Sequence, residues 1–165
     1  MSEQIVASRI AEAETLRVQG RSDESLAILV ELSGDHPDDA VVALECAWAH
    51  DRLGLEEAAV PHYQRAIRLG LNEERLRGAS LGLGSTLRAL GRYEESLETL
   101  SQAMATFPDD NSIRVFHAMA LYNNGLAKAA CEQLLRLLID TTGDEKIRGY
   151  GPALQTYAED LDATW

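Results

Sequence analysis

Three side chains that could ligate a metal or carry a nucleophile stand near one another in the sequence: Cys46, His50 and His62. Cys46 and His50 are four residues apart, which on a helix places them on one face. A thiol with imidazoles is a donor set for zinc, and a thiol beside an imidazole base is the start of a nucleophilic site. Other chemical patterns are weaker. Gly82-Leu83-Gly84 lacks the third glycine of a dinucleotide loop and does not follow a strand. Neither Gly-x-Ser-x-Gly nor a phosphate-loop pattern occurs. The acidic pairs Glu56-Glu57 and Glu94-Glu95 fall at helix starts, where the dipole accounts for them.

The elements that must position these residues read as helices throughout. Ile5, Val6, Ile10, Ala13 and Leu16 recur three or four apart over 5–18, an apolar stripe on one helix face. Gly20-Arg21 breaks it, Ser22 to Ser25 offer caps for a second helix, and Gly34 and Pro37 stop that one. A third helix covers about 38–53 and a fourth about 56–70, with Pro61 in or just beyond its first turn. The fifth and sixth meet at Gly91, within Leu81 to Pro108. The seventh takes about 111–124 and the eighth about 126–139. A last one, over about 144–161, would carry Ile147, Tyr150, Leu154, Tyr157 and Leu161 on one face, with Gly149, Gly151 and Pro152 leaving its first half in question. Ala163-Thr164-Trp165 is a tail. No stretch alternates with the period of a strand.

Composition agrees. In 165 residues, 45% hydrophobic and 25% charged is the globular range, and 5% aromatic with abundant Ala and Leu favours packed helices over a sheet sandwich. The net charge of −12 argues against nucleic acid or an anionic membrane as partner, since both need basic patches. It suits a basic partner, or simple solubility. The sequence from Met1 to Gln4 has neither a positive n-region nor an apolar h-region, and no apolar run nears the ~20 residues that span a bilayer. Two cysteines inside helical patterns are no disulfide framework. A cytoplasmic location is therefore expected.

The mid-unit glycines Gly20, Gly54, Gly91 and Gly125 are spaced 34, 37 and 34 residues apart. The three extra residues are assigned to a polar loop over Gly70 to Leu76. A helix-turn-helix period of ~34 residues resembles the tetratricopeptide repeat (TPR) family. The third unit carries the resemblance best, with Leu83-Gly84, Leu87, Gly91-Arg92-Tyr93, Ala103 and Pro108 in the family's places and Ser96 where a small Ala is usual. The wording over 82–97 also resembles short bacterial TPR proteins without an assigned activity. The resemblance implies an all-α fold: a right-handed α-solenoid in one domain over 1–165, with repeats at about 6–39, 40–76, 77–110 and 111–142 and a capping helix at about 144–161.

The family resemblance further implies that the first helix of each unit lines a concave groove. It assigns the groove contacts to Leu44, Trp48, Asp51, Arg52, Leu81, Arg88, Met119, Tyr122 and Asn123. An apolar floor with placed arginines suits an extended or helical peptide, and Trp and Arg are common interface anchors. The residues by which some relatives clamp a C-terminal carboxylate are replaced by Ile10/Glu14, Leu44/Trp48 and Leu81/Ser85, so that activity is not implied. In the repeat frame Cys46 occupies a leucine's place and His50 a packed aromatic's, so the pair reads as core. No catalytic residue, cofactor or metal is expected, and the chain reads as a protein or peptide adaptor, not an enzyme. The alternative is a self-associating homodimer whose groove is filled by its own or its partner's C-terminal helix.

Overall fold

A computed structural model of the chain describes residues 3–164, so Met1, Ser2 and Trp165, named in the reading of the two termini, lie outside it. Ten helices and no strands make up the described residues. They are α1 (Glu3–Val18), α2 (Ser22–Asp35), α3 (Ala40–Arg52), α4 (Glu56–Leu69), α5 (Glu73–Ala89), α6 (Tyr93–Thr106), α7 (Asn111–Asn123), α8 (Ala127–Thr141), α9 (Glu145–Arg148) and α10 (Gly151–Tyr157). The class is all-α, with antiparallel helix pairs recurring along the chain. Close packing groups the helices into two compact units, Met1–Leu90 with α1–α5 and Gly91–Trp165 with α6–α10.

Helix boundaries follow local chemistry. Asp39 caps α3 by accepting from the N–H groups of Val41 (2.8 Å) and Val42 (3.0 Å), and Asp110 caps α7 by accepting from Ile113 N–H at 3.0 Å. Each such cap contributes about 1 kcal/mol. The mid-unit turns need a residue at positive φ, and Gly54 at φ 71° meets that need at no steric cost. The turn closes with Leu55 N–H donating to His50 C=O across five residues at 3.0 Å, a Schellman pattern.

In the first unit α3 is the central helix. Its Ala43, Leu44 and Ala47 join Val60, Tyr63, Leu83 and Leu87 in one buried cluster. Its Val42, Cys46 and Ala49 join Val6, Ala13, Leu29 and Leu32 in another. Two sides of α3 are thus sealed, each large aliphatic chain contributing about 1.5–3 kcal/mol. The remaining strip holds Glu45, Trp48 and Arg52. In the second unit Leu100 and Ile113 are buried, and α8 packs on α7 with α10 against it.

Two expectations about boundaries are corrected. The segment 70–76 is not wholly a polar loop. Asn72 accepts from Arg75 N–H at 2.9 Å, Glu73 and Glu74 suit the dipole, and α5 begins at Glu73 and runs 17 residues against 13 for α3 and α7. The inserted residues therefore lengthen a helix. At the other end there is no single helix over 144–161. Gly149 and Tyr150 separate α9 from α10, Pro152 stands in the first turn of α10, and that helix stops at Tyr157, leaving Leu161 outside it.

Candidate functional site

Helix α3 presents Glu45, Trp48 and Arg52 at i, i+3 and i+7, one helical face. That face meets a recess of about 130 Å³ between the first helices, whose walls include Ile10, Glu14, Arg17 and Leu29. On its other side Glu45 and Trp48 border an opening of about 330 Å³ with Glu74, Arg75, Arg77 and Gly78 of α5. Trp48 is half-buried, and the Arg52 guanidinium carbon stands 6.0 Å from its ring centroid, within cation–π reach. A Cβ at Gly78 would come within 3.3 Å of Trp48 Cζ2, so the missing side chain there lets the indole edge pack close against α5. Burial raises the Glu45 carboxyl above its ordinary pKa, an effect opposed by Arg52 and Arg75 and reinforced by Glu14.

The expected groove residues divide. Trp48 and Arg52 both line the recess, and Leu81 and Arg88 are half-buried on α5. Leu44 is corrected: it is 0% exposed inside the cluster around Tyr63 and can touch no partner. The frame places the accessible strip one residue off, because Leu44 faces α4 and α5 whereas Glu45 faces outward. Asp51 has another occupation. Its carboxylate accepts from Tyr63 Oη–H at 2.9 Å and from Thr86 Oγ1–H at 2.9 Å, tying α3 to α4 and α5. Burial, then the Asp51 charge, pushes the Tyr63 phenol pKa upward, so the phenol stays a donor. Glu45, Arg75 and Arg77 escaped the sequence reading. The i, i+3, i+7 spacing of 45, 48 and 52 was the available signal for the first of them.

In the second unit Met119 is half-buried, and Tyr122 is 67% exposed. Asn123 borders an open recess with Arg92, Tyr93 and Glu95, where Asn124 Nδ2–H donates to Tyr93 C=O at 2.9 Å.

The Cys46 face of α3 is a different environment. Cys46 Sγ lies 3.6 Å from His50 Nδ1 and 3.6 Å from His62 Nε2, and one ligating atom from each of the three residues falls within 4.8 Å of the others. His50 Nδ1 is 2.8 Å from Cys46 C=O, so that nitrogen carries the proton and donates. The two imidazoles lie nearly parallel, 18° apart with centroids at 5.0 Å. Arg65 contacts Ser33 Oγ and sits 3.3 Å from His62 Nδ1. Burial pushes the Cys46 thiol up to about 11 against a hydrogen bond with Ser33. Burial first, then the charges of His50 and Arg65, holds His62 down to about 4. Both groups are neutral at pH 7. The sequence reading named the three together and then assigned Cys46 and His50 to the core; both are buried, and His62 of α4 stands beside them.

Comparison with known proteins agrees with the geometry. No curated protein matches the chain. Among solved structures, a MamA RS-1 double mutant superposes with a TM-score of 0.76 at 17% identity, covering 97% of this chain and 88% of that one. YrrB, described as a TPR protein with an unusual peptide-binding site, gives 0.71 at 18% identity over 93% and 78%. A MamA fragment from Desulfovibrio magneticus RS-1 gives 0.71 at 17% over 98% and 97%. At these identities the likeness concerns the fold. The sequence profile of the family described as "Tetratrico peptide repeat" matches residues 3–49 and 40–161, and with the glycine-marked helix pairs this places the chain in the tetratricopeptide repeat family.

Proposed function

We propose that the chain is a non-catalytic adaptor that captures a segment of another protein at the Trp48 recess of its first unit. One observation carries this: Trp48 is half-buried at the floor of an opening and has the Arg52 guanidinium over its ring. A rigid indole with an adjoining cation is the anchor chemistry of interface hot spots. The segment that fits has an apolar side chain for the indole and a carboxylate for Arg52. YrrB, similar in fold, is described as having a peptide-binding site. No helix among the described residues is long and apolar enough to cross a membrane. A cytoplasmic site of action belongs to this proposal and rests on Cys46 and Cys131 both being free thiols.

The test is a titration of dye-labelled peptides read by fluorescence anisotropy, which does not depend on the indoles of the chain. Arg52→Glu should weaken capture of acidic-apolar peptides at least ~10-fold, and Trp48→Ala ~30-fold or more, the scale of a hot spot. Helicity should be unchanged in both. Equal capture by wild type and both variants would remove the recess from consideration. Leu81 and Arg88 remain secondary contacts in this proposal and should each change affinity less than Trp48.

A second reading, self-association, is favoured by the apolar surface of the second unit, where Tyr150 is 70% exposed and Leu134, Leu138 and Tyr157 are 40–47% exposed. Light scattering across a concentration series separates the two: a dimer that persists in Trp48→Ala but not in Leu134→Lys would place the contact on α8.

A further inference from the structure

Cys46, His50 and His62 take no part in the recess, and their arrangement carries a reading of its own. We propose that these three side chains are a binding site for a thiophilic divalent transition ion, with zinc the best match, holding it by Cys46 Sγ, His62 Nε2 and a nitrogen of His50. Two ligand atoms 3.6 Å apart, at ~2.3 Å for Zn–S and ~2.0–2.1 Å for Zn–N, subtend about 110° at the metal, the tetrahedral angle. The Cys46 Sγ–His62 Nε2 pair meets this condition before any metal arrives, and one ring nitrogen of His50 lies within 4.8 Å of both atoms. Cys46 and His50 are separated by one helical turn of α3, and His62 comes from the paired helix, so two rigid elements fix the three donors. The His50 N–H bond to Cys46 C=O is the backbone bond that commonly orients a ligating imidazole, and it leaves Nε2 with the lone pair. A thiolate with two imidazoles selects zinc, cobalt or copper over magnesium and calcium, which need oxygen donors. The fourth position falls to solvent.

Two groups oppose the ion and define what uptake must change. Arg65 faces His62 Nδ1 at 3.3 Å and brings a positive charge. The nearly parallel imidazoles must turn so that both ring planes contain the metal. His62 is only half-buried, so it is the ring free to turn and the side from which the ion enters. The balance is one thiol and one divalent ion giving a metal thiolate and one proton to the buffer, so affinity rises with pH.

The experiment is titration of the untagged full chain with cobalt chloride and then zinc chloride. The expected result is one equivalent of tetrahedral cobalt with a thiolate-to-cobalt absorption band, displaced by zinc, with a zinc-dependent rise in melting temperature. Cys46→Ala and His62→Gln should each weaken binding ~100-fold or more, Cys131→Ser should leave it intact, and Arg65→Gln should tighten it ~10-fold, the scale of groups that contact ligands rather than the metal. His62→Gln, at a half-exposed position, keeps the test valid if Cys46→Ala fails to fold. No thiolate band, or binding that survives both His62→Gln and Cys46→Ala, overturns the site.

Discussion

Helices α3 and α8 come from the same repeat grammar and meet different fates. Seven residues of α3 are buried, whereas α8, two residues longer, buries only Ala130 and Leu137. In the first unit α3 has apolar neighbours on two sides, so its one open strip stands out as a defined recess. In the second unit α8 packs on α7 and receives only the seven-residue α10, which leaves Leu134 and Leu138 about 40% exposed. The difference teaches that a repeat specifies an apolar stripe but not its burial. Burial depends on what comes next in the chain, and here Gly149, Gly151 and Pro152 shorten the helix that would have covered the last stripe.

The largest expected break in the comparison is at Tyr63. The side chain is 1% exposed within the cluster that seals α3, and Tyr63→Ala should cost about 3–5 kcal/mol in urea unfolding. Leu138→Ala on α8, already 40% exposed, should cost under about 1 kcal/mol in the same measurement. Equal losses at the two positions would show that α8 is covered in solution.

Next is Asp51. Its carboxylate accepts the hydroxyls of Tyr63 and Thr86, and Asp51→Ala would leave both buried donors without that acceptor. At about 1–3 kcal/mol for a buried group that loses its partner, and with the single Thr86 hydroxyl proton able to turn wholly to Gly82 C=O at 2.8 Å, a loss of about 2–3 kcal/mol is expected. Asp51→Asn, which keeps an acceptor, should recover more than half of it. Wild-type stability in Asp51→Ala would mean the network is relieved by water.

Glycine substitutions give a smaller and signed contrast. A Cβ at Gly82 would lie 2.6 Å from Tyr63 Oη, whose ring is enclosed and cannot yield, so Gly82→Ala should destabilise by about 1–3 kcal/mol. Gly34, helical and with nothing within 4 Å of an added Cβ, should go the other way: Gly34→Ala stabilises by up to about 1 kcal/mol. A differential scan of the two variants tests the sign directly.

These contrasts show what the sequence could and could not disclose. The helix count through α8 and the repeat phase were legible because Gly20, Gly54, Gly91 and Gly125 all require positive φ, a backbone demand that leaves a mark in composition. The repeat frame singled out Trp48 and Arg52, which the proposal takes as its anchors. Leu44 was misplaced because a positional frame carries an angular error of one residue, about 100° on a helix, and that is enough to exchange core for surface. The role of Asp51 was hidden because its partners lie 12 and 35 residues away, and pairings at that range leave no local trace. Cys46, His50 and His62 were visible as a set, but the distances among them depend on how α4 packs on α3.

The smallest expected effect concerns the end of the chain, where charges hold what apolar packing does not. Lys128 of α8 bonds Asp160 and stands 2.9 Å from Asp162, and Arg136 donates to Ala158 C=O at 2.7 Å. The bond from Lys128, then the Asp162 backbone, lowers the pKa of Asp160 below the ordinary carboxylate value. For a carboxyl with a depressed folded pKa, the contribution to docking is complete above the unfolded value near 3.8 and is lost as pH falls through the lower folded value. All these groups are exposed, so salt should act where pH does. At 1 M salt, where the screening length is about 3 Å, hydrogen exchange over Gly151–Tyr157 should quicken several-fold, while exchange in α3 stays as it was. Lys128→Met should reproduce the salt effect at low ionic strength and abolish its further increase. If α10 exchanges equally in both salts, its hold on α8 is apolar after all, and the contrast with α3 narrows to one of area alone.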